Sequence, residues 1–313
     1  MATRNRALVG DTNPILSKFA SGYKNAAMIA DLVCPRITSL TESGTYFGFG
    51  KEGQKQYNTK RAARTRPGQI DQFPTTATYE CVEHSLETVL DIRKEIQQAE
   101  KYGAGAVLKL KQRSMMMIEK ALAVAREKAV ADILFGTSYY ASGNKVALTG
   151  TDCWSDKTNS DPVGNVQDGK IAARADMGIE PNTLVLGYLS LMQLVEHPEI
   201  IGKLSNAKNA YPTIEDLKTI LNIDKIVVGK SVYSTDAGVF TDLWTDNAAL
   251  IYTPNEGELP EGVPVHSVQI HEEGYPEVRE KQDDLLWTGT EFQKYVVKNI
   301  STSFGYLISN TKA

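Results

Sequence analysis

Residues 104–135, AGAVLKLKQRSMMMIEKALAVAREKAVADILF, place Leu108, Met115, Ile118, Leu122, Ala125, Ala129 and Ile133 near the period of an α-helix. Gly103 and Gly105 stand at the start of this run and Gly136 just past its end, where helices commonly begin and stop. The spacing predicts one helix, and at 1.5 Å per residue such a helix is roughly 45 Å long. A rod of that length has to lie across a broad surface or brace a whole subunit. Met115, Met116 and Met117 in a row fit flexible core filler better than a metal site.

A second constraint lies upstream. Residues 50–72 have almost no apolar content and contain Pro67-Gly68, so they cannot pack a core. On one side lies SLTESGTYFGFG, strand-like through Tyr46, Phe47 and Phe49. On the other lies TTATYECVEHSLETVLDI, which alternates and is rich in Thr, Val and Tyr. Residues 40–92 therefore read as two strands joined by a long polar tip, and a loop of that length inside a compact domain points to function or disorder. Charge sharpens the point. Lys51, Lys55, Lys60, Arg61, Arg64 and Arg66 face only Glu52, a local +5, which leaves −9 for the rest of a chain whose formal net charge is −4. A nucleic-acid binder usually carries a basic domain rather than one basic segment on an acidic body. This distribution suits a basic arm that meets an acidic surface, including one on another copy of the chain; a solvated polar loop is the alternative.

The remaining segments read more simply. Residues 1–40 form an arm broken by Pro14 and Pro35, with a short helix expected around Ile15–Lys24. Residues 137–182 read as a polar connection containing Gly and Asn. TLVLG and DKIVVGK are buried-type strands, separated by helices in YLSLMQLVEH and in TIEDLKTILN, the second opened by Thr213. VFTDLWTDNAALIYTP, GVPVHSVQI, FQKYVVKN and FGYLIS are strand-like. With 42% hydrophobic residues the composition is that of a globular protein. No apolar run approaches the roughly 20 residues of a membrane span. With no export signal at the start, Cys34, Cys81 and Cys153 are expected as reduced thiols.

Motifs for chemistry are weak. Gly48, Gly50 and Gly53 match G-x-G-x-x-G, but no apolar helix opens at the third glycine to hold a phosphate. Gly229-Lys230-Ser231 resembles the end of a phosphate loop, yet Asp224 stands where its first glycine belongs. Cys81 and His84, three apart on a strand, point to opposite faces. His266, His271, Glu272 and Glu273 are expected as solvated loop residues. Asp152, Asp156, Asp283 and Asp284 have no evident acid/base partner, and four scattered histidines supply no triad. No catalytic, cofactor-binding or metal-ligating residue is assigned, and a non-enzyme is expected.

The order of these parts carries a resemblance. A short arm, a long hairpin with a basic tip and a long helix come first. An α/β domain with PNTLVLGYLSLMQLVEHPEIIGKL and ILNIDKIVVGKSVY follows, and then LWTDNAALIYTP and FGYLISN. From about Ile15 onward the chain resembles the major capsid proteins of tailed double-stranded DNA bacteriophages. The resemblance implies an α+β chain with the Hong Kong 97-like fold. Its parts would be an N-terminal arm (1–39), an extended loop with flanking strands (40–92), a peripheral domain with the spine helix (93–136), an axial domain (137–260) and return strands (261–313). It implies a structural protein that assembles through pentamers and hexamers into an icosahedral shell, with Lys51, Lys55, Lys60, Arg61, Arg64 and Arg66 in inter-subunit contact. The location implied is the virion, after assembly in the bacterial host cytoplasm. Only about 40 residues precede the hairpin, so a separate scaffold protein is expected, beside a portal and, as an option, a decoration protein. The enclosed double-stranded DNA would be held without sequence-specific contact; no membrane and no cofactor are expected. Some relatives crosslink a loop lysine to a neighbour's asparagine. Nothing pairs Lys51, Lys55 or Lys60 with Asn299, and no crosslink is expected. An encapsulin-type nanocompartment shell is the alternative, and a nucleotide-dependent enzyme using Gly48–Gly53 a weaker one.

Overall fold

The computed structural model describes residues 11–14, 16–17, 28–48, 55–57, 59–61, 64, 66–69, 75–204 and 211–312. Thr183–Gly187 is buried along its whole length and sits inside a five-stranded sheet. It pairs in parallel with Lys225–Gly229 on one side and antiparallel with Ala248–Ile251 on the other. Tyr306–Ser309 and then Lys145–Ala147 complete the sheet. A strand buried on both faces has to be apolar throughout, which is why TLVLG carries no alternation. Leu184 and Leu186 join Leu250, Ile308, Trp154 and Leu194 in the core on one face; Val185, Ala249 and Leu307 point into the core on the other. Between the parallel strands run the helices Tyr188–Val195, Pro198–Lys203 and Ile214–Leu221. The last is opened by a reciprocal capping box of Thr213 and Asp216.

A second sheet is organised by the fourteen-residue strand Leu286–Asn299. It pairs antiparallel with Val82–Asp91, Glu277–Gln282 and Ser267–Glu272. Asp11–Thr12 and Arg36–Ser39 extend this sheet at its two ends.

The long helix, Ala104–Leu134, spans both sheets, and that explains its length. Met115, Ile118 and Leu122 pack with Leu90, Val278 and Trp287 of the six-stranded sheet. Val130, Ala131 and Leu134 pack with Val185 and Leu307 of the five-stranded one. The single apolar stripe expected from the sequence is therefore corrected. Leu108 and Ala125 are exposed, and the buried face turns to Ala123, Val130, Ala131 and Leu134 because the helix changes the sheet it lies on. Between the two halves Glu127 is buried. Its carboxylate accepts from the backbone N–H of Ile29 (2.8 Å) and Ala30 (2.9 Å) and from Trp244 Nε1 (2.8 Å). Three segments distant in sequence are tied by one carboxyl group.

Other expectations change too. Residues 137–182 are not merely a connection, since Pro162–Met177 is a helix. Asp161 caps its Gly164 N–H, Pro162 opens it and left-handed Gly178 ends it. A Cβ on Gly169 would come within 2.8 Å of Leu250 and Tyr306, so glycine there lets the helix approach the sheet. TTATYECVEHSLETVLDI is two strands, not one. Thr75–Glu80 pairs with Ser43–Gly48, and after Cys81 the chain crosses to Leu286–Asn299. The short helix expected around Ile15–Lys24 lies mostly outside the described residues, of which only Leu16 and Ser17 belong to it. All three cysteines are free and buried.

Gly229 has a packing role. A Cβ there would stand 2.1 Å from Trp244 Cγ, so the indole closes on the strand where Gly229-Lys230-Ser231 resembled a phosphate loop. Gly229→Ala should destabilise the subunit by about 3 kcal/mol in equilibrium urea unfolding. Gly68→Ala, in open space on the polar tip, should change stability by less than about 0.5 kcal/mol.

Candidate inter-subunit interface

Ser43–Gly48 and Thr75–Glu80 form a two-stranded ribbon in register from Ser43 opposite Glu80 to Gly48 opposite Thr75. Of the first strand only Tyr46 and Gly48 are buried. Tyr46 drops into a core with Cys81, Val265, Ile270 and Phe304, and burial pushes its phenol well above the usual range. Phe47 on the opposite face is 57% exposed, and Leu40 just before the ribbon is 84% exposed. Among the described residues of the second strand only Ala77 and Tyr79, both half-buried, pack on the same core, and a two-stranded ribbon held by so few side chains is marginal on its own.

The root of the ribbon is firmly held. Lys294, buried on the central strand, binds Glu272 at 2.7 Å and Glu42 at 3.2 Å. Tyr79 Oη and Ser39 Oγ lie 2.7 Å apart, and the Cys81 N–H donates to the Glu42 carbonyl at 2.7 Å. A crevice of about 390 Å³ separates this root from Val296 and Lys298 of the central strand.

The tip is another matter. Lys55, Lys60, Arg61, Arg64 and Arg66 are all exposed, while Lys51 lies outside the described residues. Lys55 Nζ stands 5.8 Å from the ring centre of Tyr57. Gly48 ends its strand, and Gly50 and Gly53 lie outside the described residues.

Behind the root, a cavity of about 370 Å³ is lined by Arg36, Glu119, Arg126, His271, Glu272 and Lys294, among others. The expectation that His266, His271, Glu272 and Glu273 are solvated loop residues holds for Glu273, exposed in the turn after the strand, and is corrected for the other three. Ser267–Glu272 is an internal strand of the sheet, so His271 and Glu272 are half-buried in it, and His266, just before it, is buried. Burial drives His266 down to about 4. Burial, then the Arg36 and Arg126 charges, drive His271 to about 3. Both rings are neutral at pH 7. Asn299 Nδ2 donates to the His266 carbonyl at 3.1 Å, which engages it within its own subunit.

Across the same cavity wall Glu119 of the long helix meets Glu291 of the central strand. Burial, and then the hydrogen bond and charge of Glu291, push the Glu119 carboxyl up to about 9. At neutral pH Glu119 therefore keeps its proton.

Polar groups elsewhere are structural. Asp156 accepts from the N–H groups of Thr158 and Asn159 and turns the loop. His197 Nδ1 accepts from the Glu199 N–H, which leaves Nε2 to donate to Ser160 Oγ at 3.0 Å. The Ser160 hydroxyl in turn donates to the Asp156 carbonyl. That polarity is the reverse of a nucleophile and its base. Cys81 Sγ donates towards the Ile270 carbonyl, whereas His84 stacks on Tyr295. Asp283 pairs with Lys281. Among the described residues no group of three His, Cys, Asp or Glu side chains could hold a metal, and no helix is long and apolar enough to cross a membrane.

Two sheets spanned by one long helix, with a ribbon rooted at their junction, make this the Hong Kong 97-like capsid fold. The crystal structure of a phage-related protein from Bordetella bronchiseptica RB50 matches with a TM-score of 0.78 at 26% identity, over 97% of this chain and 98% of that one. The SrpI encapsulin of Synechococcus elongatus PCC 7942 matches with a TM-score of 0.54 at 11% identity, over 99% and 96%, a likeness of fold alone. No family profile matches the chain. In sequence it is 31% identical over 306 residues to the major capsid protein of Burkholderia phage BcepMu, covering 95% of each. The chain belongs to the major capsid protein family of tailed phages.

The carboxyl pair yields a pH signature. Because Glu119 holds its proton more tightly folded than unfolded, its contribution is greatest below the ordinary carboxylate pKa and is lost as pH rises towards about 9. The loss reaches at most about 1.4 kcal/mol per pH unit. In Glu119→Gln the amide still donates to Glu291 but does not titrate. Urea midpoints of the wild type should fall between pH 5 and pH 9 by more than those of the variant.

Proposed function

We propose that this protein is the structural head subunit of a phage, assembling through pentamers and hexamers into an icosahedral shell around double-stranded DNA, without catalytic activity. One observation carries the reading: a member of the major capsid family roots a ribbon firmly in its own body yet leaves the basic tip and Phe47 exposed. The ribbon lies across the next subunit, where Lys51, Lys55, Lys60, Arg61, Arg64 and Arg66 meet acidic side chains. Repeating one such heterologous contact around an axis closes rings. Each contact can be weak, because a subunit held by several neighbours gains from effective concentration.

An acidic body suits a shell around DNA, since a strongly basic lining would hold phosphates through counterion release. A scaffold protein and a portal complete the assembly, which takes place in the bacterial cytoplasm. The phage head is favoured over an encapsulin-type compartment by the kind of relative: the whole-length match at 31% identity is to a phage capsid protein, and the encapsulin likeness is one of fold.

Expression of the protein with Arg61, Arg64 and Arg66 changed to Glu tests the role of the tip. Negative-stain images should show shells for the wild type and none for the triple variant. Circular dichroism and the urea midpoint should stay unchanged, because these side chains are exposed. Normal shells from the triple variant would remove the function given to the tip.

A further inference from the structure

The outward face of the long helix carries cations that find no ion-pair partner among the described residues. Its cations divide into two sets. Lys111 binds Glu280 at 3.3 Å, Arg126 reaches Asp31 at 3.5 Å and Lys128 pairs with Asp132 at 2.9 Å. Lys109, Arg113 and Lys120 are exposed and make no ion pair among the described residues. The acids of this helix cannot balance them, because Glu119 and Glu127 are buried and Asp132 is taken by Lys128.

At 100° per residue, Lys109, Arg113, Met116 and Lys120 fall within one narrow stripe about 16 Å long, and Met117 flanks it. The opposite side, Met115, Ile118 and Leu122, is fixed in the core, so the stripe is held rigidly. Met117 is 72% exposed and Met116 also reaches solvent. Two of the three methionines expected as core filler are therefore on the surface, between cations.

We infer that this stripe, Lys109, Arg113, Met116, Met117 and Lys120, docks an acidic amphipathic helical segment of a partner protein. The charges fit carboxylates on the partner's flanks. Methionine is unbranched and polarisable, and suits an apolar ridge whose shape it can follow. A nucleic-acid backbone would satisfy the cations and leave the thioethers against phosphates, so a peptide fits the stripe better. The inference stands on this helix alone and does not require that the protein form a shell.

Fluorescence anisotropy of the full-length protein tests it, with three labelled probes. The first is a helical peptide of about 18 residues with leucine on one face and glutamate on the other. The second is a polyglutamate of the same length, and the third a short DNA duplex. The amphipathic peptide should bind at least about tenfold more tightly than either of the others. Lys109→Glu with Arg113→Glu and Lys120→Glu should weaken it at least about tenfold, and Met116→Ser with Met117→Ser several-fold. All five side chains reach solvent, and the urea midpoints of both variants should match the wild type. Tighter binding of the duplex, equal binding of polyglutamate, no binding of the amphipathic peptide, or affinity unchanged in either variant would each overturn the assignment.

Discussion

A ribbon of two strands joined by a cationic tip cannot supply its own core. Tyr46 is its one deep anchor in the first strand, and Phe47 on the other face is exposed. Conformational entropy opposes ordering so many residues without burial to offset it. The chain nevertheless invests in holding the root, with Lys294 between Glu272 and Glu42 and Tyr79 against Ser39. Such a combination makes sense when the compensating surface belongs to another molecule. The distribution of charge agrees, since the tip carries +5 and the rest of the chain −9.

For an arm to transmit force between neighbours, its base must not yield. The long helix provides that stiffness by packing on both sheets in turn, with Glu127 tying the segment at Ile29–Ala30 and Trp244 to it at the crossing. Buried polar groups concentrate along this seam, including the Glu119–Glu291 pair and the neutral His271. A buried network of this kind specifies one arrangement when its members are satisfied, and a charge left alone there would be costly. The body thereby becomes a rigid platform, and weak contacts made through a rigid platform add.

Elements with a plain local pattern were legible in the sequence. Thr183–Gly187, Lys225–Gly229 and Ile214–Leu221 follow from apolar runs and a capping box, and the helix Ala104–Leu134 from its period. Elements held by caps and close approach were not. Pro162–Met177 is polar on most of its surface, its buried stripe of Val163, Val166, Ala173 and Met177 is interrupted by Gly169 and Lys170, and its sharpest signals are Asp161-Pro162 at the start and Gly178 at the end. The break at Cys81 leaves no trace, because both strands flanking it alternate alike and only the partners differ. The cationic tip was legible from composition alone, while the exposure of Phe47 depends on which face the ribbon turns to the body. The outward stripe of Lys109, Arg113 and Lys120 was within reach, since a helix with no exposed acid along three turns is a charge pattern readable without coordinates.

Hydrogen exchange of the ribbon, compared between isolated subunits and assembled particles, tests most directly where its stabilising surface lies. Amides of Ser43–Gly48 and Thr75–Glu80 should exchange within seconds in the free subunit and at least about a hundredfold more slowly in the particle, while those of Thr183–Gly187 stay protected in both. Ribbon amides already as slow in the free subunit as in the particle would mean that the ribbon is completed by its own chain, and would contradict the account.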